Sequence, residues 1–157
     1  MTLLAAALLL SGLAQDEKIL QFEAPKEWTK ETPSSRMRKA QYKVPDKEKK
    51  AKDAELTLFY FGPQAGTIDA NLKRWAGQMG QATFTPEKME GICKITLVDI
   101  KGTYQDRPDA DPIPDARMIA AVVETADGPW FFKLVGHADT VGDWRDETVK
   151  MLKGAKP

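Results

Sequence analysis

Ala116-Arg-Met-Ile-Ala-Ala-Val-Val-Glu-Thr125, Ala126-Asp-Gly-Pro129 and Trp130-Phe-Phe-Lys-Leu-Val-Gly136 follow one another without interruption. Two runs of apolar, β-branched or aromatic residues with an Asp-Gly cluster between them predict a β-hairpin. A helix opening at Thr140 comes next and must pack back on that hairpin. Thr140-Val-Gly-Asp143 has the spacing of a capping box, in which the hydroxyl accepts from a backbone N–H three residues on and the acid reaches back. Val141, Trp144, Thr148, Met151 and Leu152 recur at intervals of three and four, so one stripe is apolar. Gly154 supplies the stop, and Lys150 and Lys153 suit the negative end of the helix dipole.

Upstream of the hairpin, Gln105 to Asp115 is a Pro-stiffened acidic loop, and Lys101-Gly102 is expected to turn the chain. Its carboxylates Asp106, Asp109, Asp111 and Asp115 lack the spacing of a helix–loop–helix calcium site, and no metal is assigned to them. Ile92 to Ile100 reads as a strand whose alternation puts Cys93 with Ile95 and Leu97, as a small buried hydrophobe without a disulfide partner. Thr67 caps a helix with Ile68, Leu72, Trp75, Ala76 and Met79 on one stripe and Gly80 past its end. Ala54 to Phe61 is apolar on both alternating faces, which marks an interior strand.

Arg36 to Val44 also alternates. A period of two places Arg36, Arg38, Ala40, Tyr42 and Val44 on one face, so two guanidinium groups stand in line with a tyrosine. Such a row fits a bidentate carboxylate or other anion. The simpler reading is a strand end whose arginines run out of the core and meet solvent or surface acids. Pro45 to Asp53 is a mixed-charge loop at the tip of a hairpin. Thr29 to Ser35 reads as loop, Trp28 as a core or lid residue, and Ile19 to Phe22 as a short first strand. Taken together, the pattern is α+β, an antiparallel sheet of about six strands packed with two helices.

Composition narrows the function. Lysine and arginine total 23 against 23 acids, so no net field attracts nucleic acid or an anionic membrane. One cysteine and one histidine are too few for a Cys-rich or His-rich zinc site. No serine stands in a Gly-x-Ser-x-Gly elbow. At the N-terminus, Leu3 to Leu10 is a compact apolar run, and Gly12-Leu13-Ala14 sets small residues where a signal peptidase cuts. A signal peptide over 1–14 and one domain over 15–157 are expected. The apolar run is short of the ~20 residues a membrane-spanning helix needs. A cysteine-less Leu10-Ser11-Gly12-Leu13 also argues against a lipid anchor.

Ala24-Pro25-x-x-Trp28, Asp127-Gly128-Pro129-Trp-Phe-Phe-Lys-Leu134 before Gly136, and Thr140-Val141 at the final helix resemble the PsbP family of exported lumenal and periplasmic proteins. They are also similar to secreted bacterial proteins of unknown function in which Pro-x-x-Trp, Tyr-Phe-Gly and Lys-Leu-x-Gly recur. The resemblance implies an α/β/α sandwich with a binding or assembly role, and carries over no catalytic residue. The expectation is therefore a periplasmic or secreted monomer, non-enzymatic and without cofactor, binding a protein or small anionic ligand through Arg36, Arg38 and Tyr42. The alternative is a small exported enzyme using His137, in Gly136-His-Ala-Asp139, with a nearby carboxylate.

Overall fold

The computed structural model describes residues 19–157; the expected signal peptide and its cleavage point lie outside the described residues. Seven strands form one antiparallel sheet: β1 Thr29–Glu31, β2 Arg38–Val44, β3 Ala54–Tyr60, β4 Glu87–Glu90, β5 Lys94–Tyr104, β6 Ile113–Thr125 and β7 Gly128–His137, in spatial order β1-β2-β3-β7-β6-β5-β4. Helix α1 (Ile68–Gln78) follows β3, and α2 (Ala138–Asp143) and α3 (Arg145–Lys153) close the chain. The class is thus α+β and antiparallel, with one strand more than the six expected and three helices instead of two, because the expected final helix is interrupted at Trp144 into α2 and α3.

The hairpin forms as its residues require. Val123 pairs with Trp130, Ala121 with Phe132, Ile119 with Leu134, and Thr125 meets Gly128 across a two-residue turn. Gly128 has φ +122, and a Cβ there would lie 2.8 Å from Pro63 Cα, so both the backbone and the space demand glycine. The hairpin is the middle of the sheet, with β7 the fourth strand of seven. Its two faces are both apolar and both covered. On one, Leu72, Trp75 and Ala76 of α1 and Met79 at its C-cap pack with Val98, Met118, Ala120, Val122 and Phe131. On the other, Val141 of α2, Trp144 between the two helices, and Met151 and Leu152 of α3 pack with Leu58, Leu97, Ile119, Phe132 and Leu134. The helices therefore lie on opposite faces, a choice the sequence leaves open. Each fully buried Phe or Leu in these layers contributes roughly 1.5–3 kcal/mol.

Several boundaries differ from the sequence expectation, each for a tertiary reason. Thr140 is not the cap. Helix α2 begins two residues earlier, His137 Nδ1 accepts from Asp139 N at 3.4 Å, and the buried Thr140 hydroxyl donates to Lys52 O at 3.1 Å instead. Ile19 to Phe22 forms only a single bridge, Gln21 to Lys156, whereas Thr29–Glu31, expected as loop, pairs with β2. Lys101-Gly102 does not turn the chain: β5 runs on through it to Tyr104, and the irregular pairing there takes its extra residue from β6, which advances from Ile113 to Ala116 while β5 runs from Tyr104 back to Gly102. The polar segment Glu87–Glu90 becomes the edge strand β4. A charge network ties that edge down. Arg117 Nε and Nη2 donate to the Asp99 carboxylate at 2.7 Å each, and Arg145 bridges Asp99 at 2.9 Å and Glu87 at 3.0 Å.

Trp28 is core, 6% exposed and edge-on to Trp144. Cys93 is half-buried against the α2–α3 side, and burial raises its thiol pKa. Among the described residues no helix is long and apolar enough to cross a membrane.

Candidate functional site

The middle strand carries one residue that its apolar neighbours do not predict. In β7, Phe131, Lys133 and Val135 share the α1 face, because side chains alternate along a strand. Cross-strand register places Lys133 beside Thr57 of β3, and Thr57 beside Gln41 of β2. The three form a buried polar row across adjacent strands, Lys133 being 8% exposed. Helix α1 packs over β5, β6 and β7, so this row is closed by other groups. Lys133 Nζ donates to Tyr104 OH at 3.0 Å and to Asp106 Oδ1 at 3.4 Å, and Tyr104 OH donates to Asp106 Oδ1 at 3.1 Å. Tyr104 stands on the α1 face by the same alternation as Val98 and Ile100, and Asp106 follows two residues later in the loop after β5.

Arg38 extends the row. Its Nη1 donates to Gln41 Oε1 at 2.8 Å and to Glu55 Oε1 at 2.9 Å, while Gln41 Nε2 donates to Glu31 at 3.1 Å. The expected Arg36, Arg38 and Tyr42 alignment does not form. Arg38 pairs with Phe59 and Ala40 with Leu58, so an extra residue, Lys39, bulges from β2 and shifts the alternation by one. Arg38 consequently faces the α1 side, whereas Tyr42 packs against Phe22 and Trp28 on the opposite one. Arg36 is exposed on the turn before β2.

The electrostatics follow from this burial. Desolvation pushes the Lys133 ammonium pKa below the ordinary lysine value, Arg74 and Arg38 add to that, and Asp106 opposes it. Burial works against ionisation of Asp106 as well, but the Lys133 charge and the Tyr104 hydrogen bond outweigh it and hold the carboxyl below the usual range. For Tyr104, burial and then the negative Asp106 push the phenol up. The result is an ammonium, a phenol and a carboxylate in one chain of hydrogen bonds, with a guanidinium and a second carboxylate beside it. The members of this set are partnered with one another.

No family model matches the chain, and no curated protein matches it. A solved structure does resemble it: PA94 of Pseudomonas aeruginosa, a protein of unknown function, superposes with a TM-score of 0.52 at 9% identity over 88% of this chain and 96% of that one. At that identity the likeness is one of fold alone.

His137 lies elsewhere, at the end of β7. It lines a pocket of about 630 Å³ together with Asp46, Asp53, Asp139, Asp143, Ile113 and Pro114. Two of those acids organise the β2–β3 loop. Asp46 accepts from Lys50 N and Ala51 N at 2.6 Å and from Glu48 N at 3.3 Å, and these amides, Ala51 foremost, hold its carboxyl below the ordinary range. Asp53 accepts from Asp46 N at 3.0 Å and pairs with Lys43 at 3.3 Å. Lys47 lies over the Trp144 ring and pairs with Glu147, so this loop folds onto the helices. In the acidic loop Asp109 pairs with Arg107 while Asp106 turns to Lys133. Among the described residues no group of three His, Cys, Asp or Glu is placed to hold a metal ion.

Sequence reading passes over Lys133. Its one signal is a lysine inside Trp130-Phe-Phe-Lys-Leu-Val-Gly136, on a strand apolar to both sides.

Proposed function

We propose that the chain is an exported, non-enzymatic binding or assembly module whose ligand is anionic and engages the row of Arg38, Gln41, Thr57 and Lys133. The observation that carries this reading is the charged Lys133 at the centre of the sheet. A buried cation costs the fold several kcal/mol of desolvation that an aliphatic side chain of the same volume avoids, so its presence there is better explained by use than by stability. Arg38, retained from the sequence expectation, belongs to the same surface; Arg36 and Tyr42 do not join it. The layering of α1, sheet and α2–α3 supports the PsbP-like sandwich, and the Leu3–Leu10 run with Gly12-Leu13-Ala14 supports export.

Amide chemical-shift mapping with acetate, succinate, phosphate and sulfate tests the site. Saturable shifts clustered at Arg38, Thr57, Lys133 and Tyr104, and weakened by Lys133→Met, support it. Shifts confined to other surfaces, or no shifts in this row, refute it. A second reading, a small enzyme working through His137, is favoured by the pocket that gathers that imidazole with acids. Turnover on a generic substrate panel that disappears in His137→Ala would replace the non-enzymatic reading.

A further inference from the structure

Two aspartates of this protein meet cations in very different ways. Asp99 receives three guanidinium N–H bonds at 2.7, 2.7 and 2.9 Å, spread over both its oxygens. Those are the lengths of charge-assisted bonds in a settled structural pair. Asp106 is held only through Oδ1, by Tyr104 OH at 3.1 Å, Lys133 Nζ at 3.4 Å and Gln78 Nε2 at 3.5 Å. Its side chain remains 47% exposed, while that of Lys133 is 10% exposed. An ammonium, a phenol and a carboxamide thus converge on one carboxylate oxygen from three separate elements, β7, β5 and α1. The carboxylate itself rides on the loop after β5 and reaches them at distances longer than such bonds prefer.

We infer that Lys133, Tyr104 and Gln78 form a binding site for a small organic carboxylate, in which Asp106 is a loosely seated internal stand-in that the ligand displaces. This rests on the reading of the polar row as the functional surface and names the ligand class for it. The surroundings favour an anion even with Asp106 in place. Arg38 and Arg74 are both close enough to act on the Lys133 charge, and the Tyr104 ring lies 5.3 Å from its Nζ. A free carboxylate, unlike Asp106, carries no backbone tether and can approach Nζ to the ~2.7–2.9 Å of a charge-assisted bond. Leaving its seat, Asp106 enters water at little cost because it is already half-exposed.

The test is chemical rescue in the full chain. Thermal unfolding of wild type, Asp106→Ala and Asp106→Ala/Lys133→Met is followed against sodium acetate, with sodium chloride at matched ionic strength as control. Removing the competitor is expected to tighten acetate binding about tenfold, the equivalent of one hydrogen bond to a charged group. Lys133→Met is expected to abolish the response. Should Asp106→Ala not fold, Asp106→Asn, which keeps the side-chain volume and removes the charge, is read in the same way. Equal acetate affinity in wild type and Asp106→Ala, still sensitive to Lys133→Met, overturns the stand-in and leaves the row as a site. A response that chloride reproduces, that ignores Lys133→Met, or that no variant gives overturns both.

Discussion

Replacing Lys133 by methionine separates a lysine kept for binding from one kept for the fold. Met matches the length and volume of the lysine stem, so Phe131, Thr57 and the Tyr104 ring keep their neighbour. What disappears is a cation that is 8% exposed. Its hydrogen bond to Tyr104 at 3.0 Å and its long contact to Asp106 at 3.4 Å disappear with it. The partners left behind are not stranded. Tyr104 still donates to Asp106, and the half-exposed Asp106 rehydrates. Relief of desolvation therefore offsets the lost bonds, and Lys133→Met is expected to be neutral or stabilising by ~1 kcal/mol in urea unfolding at pH 7. Asp106→Ala works the other way, since it leaves the cation buried without its counter-charge; with that carboxylate half-exposed, a loss of ~2 kcal/mol is expected, below the full cost of breaking a buried pair.

The pH dependence gives a second readout. A lysine whose pKa is lowered in the folded state binds fewer protons than in the unfolded chain between its folded value and about 10.4, so wild-type stability rises with pH in that window. Tyr104 is raised, and its opposing effect begins only above about pH 10. Lys133→Met should erase the rise below pH 10. A destabilisation beyond ~2 kcal/mol, the range of a structural buried pair losing one partner, or an unchanged alkaline slope refutes the reasoning.

Other substitutions address the scaffold. Asp99→Asn should cost ~2–3 kcal/mol and flatten the acid limb of the stability profile. Although burial favours protonation of Asp99, hydrogen bonds from Arg117 and Arg145 hold its carboxyl below the ordinary range, so its contribution is complete above the unfolded value of about 3.9 and is lost as pH falls through the folded one; an unaltered acid limb counts against it. Thr140→Val should lose ~1 kcal/mol by removing the bond to Lys52 O, while helix content by circular dichroism stays the same; a loss of helix would restore Thr140 as the cap. Gly136→Ala forces a Cβ to 2.6 Å from Ala54 Cβ and 2.8 Å from Ala54 Cα, and a melting curve within ~1 kcal/mol of wild type would mean that β3 and β7 are less tightly apposed. On the proposed export, mass spectrometry of the protein from its native cells should find a chain starting near Gln15 without lipid; a full-length product refutes processing.

The elements that the sequence makes legible are those whose pattern is local. Trp130-Phe-Phe-Lys-Leu-Val-Gly136 is a strand because its neighbours on both faces are apolar, and Leu72, Trp75, Ala76 and Met79 mark a helix by spacing alone. The same holds for the interior position of Ala54–Tyr60 and for the packing of the last helices on the hairpin. Edges are different: Thr29–Glu31 and Glu87–Glu90 bury little and carry polar residues, so only the neighbouring strand makes them strands. Helix α2 starts at Ala138 because Thr140 is drawn to Lys52, 88 positions away.

The candidate site is the extreme case. A single bulged residue in β2 sends Arg38 to one face of the sheet and Tyr42 to the other, and no count along the chain reveals where an alternation slips. Lys133, Thr57, Gln41, Tyr104 and Asp106 come from four strands and a loop, joined by antiparallel register. Local periodicity determines which residues face together along one strand; which strands lie side by side, and therefore which charges meet, is decided only when the sheet closes around its core.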